Sequence, residues 1–178
     1  MPGHLRKVAG VTIRRSALLV LAAVICVALS GCGRQSESTD VPVTESKPPA
    51  PAGRPGWITS YEQGQQEAQA GNKLMLVDFT GSDWCGWCKL LDQEVFSQPE
   101  FKEYASKNLV LVEVDFPKRK RLPDEMKTRN MQLAYRYQVQ GFPTIVLVNG
   151  DGQKVGELGY VAGGPAAFIA QLEKIRKG

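Results

Sequence analysis

Two cysteines three residues apart, Cys85 and Cys88, lie in the stretch "TGSDWCGWCKLL", Thr80 to Leu91, with Trp84 before the pair and Trp87 inside it. Thiols at this spacing offer three chemistries: a redox couple, half of a metal site, or two neighbouring core side chains. Which applies depends on the compartment and on the other groups the chain brings to them.

The 178 residues carry 22 Lys and Arg against 18 Asp and Glu, a formal net charge of +4. That excess is local. Arg6, Lys7, Arg14 and Arg15 stand ahead of Cys32 with no acid among them, which leaves 18 charges of each sign from Cys32 onward. A neutral body has no broad electrostatic attraction for phosphate backbones, so nucleic acid is not an expected partner. The basic start precedes "ALLVLAAVICVAL", Ala17 to Leu29, an uncharged run too short to span a bilayer comfortably and suited to the apolar core of an export signal. "LSGC", Leu29 to Cys32, resembles the lipobox of bacterial lipoproteins. The resemblance implies a signal peptide over 1–31 and a lipid on the Cys32 thiol. It also implies a domain anchored to a bacterial membrane on the side away from the cytoplasm. An uncleaved anchor helix is the alternative reading, with the same placement of the domain.

Cysteine arithmetic then bears on the pair. Cys26 leaves with the signal, Cys32 is consumed by lipid, and Cys85 and Cys88 remain as thiols. A bridge across three residues closes almost no loop and staples little by chain entropy, which disfavours a purely structural disulfide. The single histidine, His4, also leaves with the signal. Two thiolates without an imidazole cannot complete a closed zinc site, and His-based catalysis is excluded from the mature chain. No resident metal or cofactor is expected, although a two-coordinate Cu(I) carrier stays open as an alternative.

The elements that must position the pair follow from patterning. Residues 32–56, rich in Pro, Ser, Glu and Thr and including "SKPPAPAGRPG", read as a disordered tether spanning about 25–30 Å by coil statistics. A globular domain is expected over 57–178. A helix over Tyr61–Ala70 is capped by Thr59 or Ser60 and stopped by Gly71. "KLMLVDF", Lys73–Phe79, reads as a strand buried on both faces. A helix runs from the cysteines to Val95, and a capping box of Ser97 and Glu100 restarts one. Leu109–Phe116 is a second strand and Leu122–Gln138 an amphipathic helix. Thr144–Val148 and Lys154–Leu158 form a hairpin about a Gly-rich turn, and Pro165 opens a last helix over Ala166–Lys177. This order predicts an α/β fold, a central mixed sheet with helices on both faces.

"WCGWC" at a strand-to-helix junction and "GFPT", Gly141 to Thr144, ahead of a later strand together resemble the thioredoxin superfamily, and the element order agrees over Trp57–Gly178. The resemblance implies a thioredoxin fold, a redox-active Cys85–Cys88 disulfide and a cis peptide before Pro143. Cys85, at a helix start where free amides and the dipole favour an anion, becomes the acidified attacker, and Cys88 the resolving thiol. Trp84, Gly86, Trp87, Phe142, Pro143 and Thr144 become the residues facing the substrate. Trp87 stands where thioredoxin itself has proline, so its potential need not carry over.

Asp78 is costly in an apolar strand unless it has a partner or a task. The resemblance makes it the proton acceptor for Cys88. Its spacing to Cys85 is one residue longer than usual in the family, and a salt-bridged strand residue is the other reading. Lys73 and Glu113 are its candidate charged neighbours. The basic run "PKRKRLP", Pro117 to Pro123, reads as a solvated loop, with docking of an acidic partner as the alternative.

The expected activity is thiol-disulfide exchange with exported proteins, supplied by an upstream redox partner, with reduction slightly favoured over oxidation. A non-catalytic adaptor on the same fold is the remaining class.

Overall fold

A computed structural model of the chain describes residues 53–177. The expected signal peptide over 1–31, Cys32 and the expected tether as far as Ala52 lie outside these residues.

Four strands form one sheet in the order β2-β1-β3-β4: β1 Leu74–Thr80, β2 Leu109–Asp115, β3 Thr144–Val148 and β4 Lys154–Leu158. β1 and β2 pair in parallel, as a helical crossover between them requires, while β3 runs antiparallel to both β1 and β4. This is the expected mixed sheet.

Alternation along the strands builds two cores. Met75, Val77 and Phe79 of β1 join Val110, Val112 and Val114 of β2 on the face covered by α1 (Tyr61–Gly71) and α4 (Asp124–Arg136). Leu76, Ile145 and Leu147 point the other way, into Leu91, Phe101, Phe168 and Leu172 from α2 (Gly86–Leu91), α3 (Pro99–Asn108) and α5 (Gly164–Lys177), and into Val95 from the turn after α2. Asp78 shares the parity of Leu76, so it faces the layer that carries the two cysteines. Glu113 lies beside it in register on β2.

Helix boundaries depart from the sequence reading where proline or a left-handed residue decides. α1 starts at the Ser60 cap but ends one residue late, at Asn72, whose φ of 48° places it in the left-handed region that Asn tolerates. The Ser97–Glu100 capping box does not form. Gln98, the residue before Pro99, is pushed to an extended backbone and becomes the boundary, while Ser97 donates its hydroxyl to Asp92. At α4 the proline itself is the boundary: Pro123, at φ −54° and ψ 143°, is the extended N-cap, and the helix begins at Asp124 instead of Leu122. After Leu91 the chain passes directly into a π-helical turn, Asp92–Phe96.

The last residues assigned to the tether belong to the folded body. Ile58 bridges to Val112 in parallel, donating its N–H to Leu111 and accepting from Glu113, so residues 53–58 cover the free edge of β2.

Candidate functional site

Cys85 caps α2 as a serine or aspartate would. Its backbone is extended, and its Sγ accepts the N–H of Cys88 at 3.1 Å. Cys85 and Cys88 are joined as a disulfide with Cα atoms 5.3 Å apart. The turn that delivers them leaves β1 through Gly81, whose carbonyl accepts from both Trp84 and Cys85. A Cβ on Gly81 would stand 2.5 Å from the Trp84 ring, so only glycine lets the indole fold back over this turn. The Cys88 amide points at the Cys85 sulfur in the bridged form, a donor that would favour thiolate charge there.

Both cysteines are largely covered, Cys85 6% and Cys88 5% exposed, while Trp84 at 37% and Trp87 at 60% are open to solvent. Trp84 meets Phe142 edge-on at 5.8 Å and donates its Nε1–H to the Phe116 carbonyl at 2.7 Å. Trp87 packs on Tyr160 at 5.3 Å. Two aromatic pairs therefore flank the bridge. The Phe142–Pro143 peptide is cis. The Thr144 hydroxyl donates to Gly141 at 2.8 Å and holds that turn, and the space beside Gly86 is open.

Asp78 sits in an ion-pair cluster that the sequence did not disclose. Its partner is Arg54, which donates through Nη2 to Asp78 Oδ2 and through Nη1 to Asp92 Oδ1 at 2.9 Å. Arg54 Nε lies 3.1 Å from Glu113 Oε1, and its backbone N–H donates to Glu113 Oε2 at 3.0 Å. The guanidinium also stacks 3.9 Å over Trp57. Lys73 is elsewhere, donating to the Ser106 carbonyl. Of the two neighbours proposed for Asp78, Glu113 is present and Lys73 is not.

Burial pushes the Asp78 carboxyl up to about 6; Arg54 draws it down, and Glu113 and Asp92 raise it further. Asp78 Oδ1 is buried with no hydrogen-bond partner. Cys88 shares a cavity of about 220 Å³ with Arg54, Asp92 and Glu113, which links the second cysteine to this cluster. Asp78 reaches that cavity through Arg54 rather than lining it. The one available signal for Arg54 was the need for a cation beside two acids in buried strands.

Among the described residues no group of three or more His, Cys, Asp or Glu is arranged to hold a metal ion. The chemistry this arrangement offers is exchange at the two sulfurs, with ionisable groups behind Cys88 and an aromatic surface in front.

The model of the thioredoxin-like domain family matches residues 61–176. The disulfide bond reductase DsbH of Chlamydia pneumoniae is 34% identical over 118 residues, covering 66% of this chain and 71% of that protein. The thioredoxin-related protein DsbJ of the same organism is 26% identical over 103 residues, of which this chain spans only 30% of the relative's length. A solved DsbH oxidoreductase superimposes with a TM-score of 0.66 at 32% identity, covering 76% of this chain and 92% of the other. A thioredoxin from Thermus thermophilus, at a TM-score of 0.51 and 24% identity over 66% of this chain and 85% of its own, shares the fold.

Proposed function

This chain belongs to the thioredoxin-like domain family, and from that premise we propose that it is a membrane-tethered thiol-disulfide oxidoreductase that reduces disulfides in exported proteins. The observation that carries the reading is the Cys85–Cys88 pair at a helix start, with an amide aimed at the Cys85 sulfur. The similarity to a protein named as a disulfide bond reductase supports the reducing direction. The lipobox-like "LSGC" and the polar stretch after it support lipid anchoring through Cys32.

In the proposed cycle the Cys85 thiolate attacks one sulfur of a substrate disulfide. A mixed disulfide forms, and the departing substrate thiolate takes a proton. Cys88 then gives up its proton and attacks Cys85 Sγ, releasing the second substrate thiolate. The substrate gains two electrons and two protons, and the chain is left bridged, to be reduced again by an upstream dithiol. Asp78, behind the cavity that borders Cys88, is the proposed proton acceptor. Phe142, Pro143 and Thr144, together with Trp84, Gly86 and Trp87, form the proposed surface for the substrate backbone.

The test uses the full chain. Reduced Cys88→Ser should trap a disulfide substrate as a stable mixed disulfide, and Cys85→Ser should not. A redox titration near the thioredoxin value of about −270 mV supports a reductant, whereas one near −120 mV reverses the direction. A pair that never opens or closes across that range overturns the reading.

A further inference from the structure

The basic run at Pro117–Pro123 has an arrangement that a merely solvated loop does not require. Asp83, two residues before Cys85, accepts three successive backbone N–H groups: Lys118 at 3.0 Å, Arg119 at 2.7 Å and Lys120 at 3.1 Å. The Lys118 ammonium lies 4.0 Å over the Trp84 ring, and Trp84 is itself tied to the Phe116 carbonyl. The basic loop and the loop carrying the cysteines are thus fastened together by five contacts.

Apart from Lys118, whose ammonium rests on Trp84, the fastening uses the backbone and leaves the charges of Arg119, Lys120 and Arg121 free. Lys118, Arg119, Lys120 and Arg121 are exposed, and among the described residues none of them takes part in an ion pair. The neighbouring acids are otherwise engaged. Asp115 accepts from the N–H and hydroxyl of Ser82, Glu113 is bound by Arg54, and Asp124 by Lys127. Glu125, at the start of α4, has no cation partner, and neither do Asp83 and Asp115, whose carboxylates are taken by backbone N–H groups and by Ser82. Lys120 and Arg121 also line a groove of about 270 Å³, whose other charged walls are Arg54, Glu113 and Asp115, so the loop and not the groove supplies the excess positive charge. Asp83, two residues ahead of the attacking cysteine, holds the backbone of three of these four residues, so the ordering cost of the loop backbone is met on folding and not on binding.

We propose that this loop docks an acidic segment of the protein whose disulfide is exchanged, which rests on the exchange reading above. Opposite charge would speed encounter and set which side of the target cysteine lies along the loop.

The test compares three synthetic peptide disulfides on the full chain, identical but for four Glu, Gln or Lys residues beside the reactive cysteine. At low ionic strength kcat/KM should favour the Glu peptide over the Gln peptide about tenfold. The Lys peptide should be poorest, and the spread should close near 0.5 M salt, where screening is on the order of a few ångströms. In Arg119→Gln/Lys120→Gln/Arg121→Gln the Glu-to-Gln ratio should fall towards one. A Glu peptide with its cysteines replaced by serine should bind the unmodified chain in a salt-dependent manner.

Equal rates for the three peptides overturn the proposal and leave the exchange reading intact. A Glu preference that survives the triple substitution overturns it as well. So does binding to phosphatidylglycerol–phosphatidylcholine vesicles that depends on the loop while the serine peptide does not bind. Salt-dependent binding of the serine peptide without turnover of any disulfide keeps the docking surface and defeats the exchange reading. The peptide series on the unmodified chain decides the matter even if the triple variant misfolds.

Discussion

Arg54, ahead of the first helix, donates to the buried carboxylate of Asp78 in the central strand, across 24 residues of sequence. One guanidinium there serves two buried acids, Asp78 and Glu113, and the half-exposed Asp92.

Removing that cation strands the acids. Arg54→Met should destabilise the fold by about 3–5 kcal/mol, the usual penalty for leaving buried charge unpaired. Arg54→Lys should recover only part of this, because an ammonium cannot fork between three carboxylates. Urea denaturation measures both, and a loss below about 1 kcal/mol for the methionine variant would contradict the cluster's importance.

Asp78 also makes a pH prediction. Its folded value, pushed up to about 6 by burial, lies above the ordinary carboxylate value of about 3.9 in the unfolded chain. The folded state therefore binds the proton first. Asp78 contributes stability below about pH 4 that is lost as pH rises through 6. Relative to Asp78→Asn, the wild-type chain should lose on the order of 2–3 kcal/mol between those limits. A difference that stays flat with pH would show that the carboxyl titrates normally.

Gly64 in α1 has Val112 and Met75 against it, and a Cβ there would stand 2.3 Å from Val112 Cγ2 and 3.1 Å from Met75 Sδ. Alanine gains about 1 kcal/mol of helix propensity over glycine, but overpacking against a fully buried valine costs about 1–3 kcal/mol. The clash should win, and Gly64→Ala should lower the melting temperature. Gly71→Ala, where the nearest neighbour is the flexible Lys73 side chain at 3.6 Å, should not. The pair of variants separates crowding from any general intolerance of alanine in this helix.

Asp83 is the fastener of the basic loop. Its three backbone hydrogen bonds hold the carboxyl below the usual range. Asp83→Ala should speed hydrogen exchange at the Lys118, Arg119 and Lys120 amides while leaving those of β1 and β2 unchanged. Because the folded value is depressed, acid should reproduce the loosening in the wild-type chain as pH falls through it. Equal protection in both chains would remove the basis for a preorganised surface.

Much of the fold was legible because it is written in local periods. β1 read as an apolar run broken only by Asp78, the mark of a strand covered on both faces, and Thr144–Val148 and Lys154–Leu158 form strands over the expected residues. Errors came where two local rules competed. At Ser97 the capping pattern lost to the restriction that Pro99 places on Gln98, and at Gly71 the expected stop moved on to Asn72. Residues 53–56 read as tether because four residues of Arg, Pro and Gly carry no period, and edge pairing leaves no trace in composition.

By itself, the order of residues settled the sheet, the junction that presents Cys85 and Cys88, and the aromatic character of Trp84, Trp87 and Phe142, since each depends on near neighbours along the chain. Only the tertiary structure decided which cation answers Asp78 and that Asp83 binds the backbone of residues 118–120. Such partners are chosen by which strands and loops come to lie side by side. Charge acts through space, and the sequence spacing between Arg54 and Asp78, or between Asp83 and Lys118, says nothing of that distance until the chain has folded.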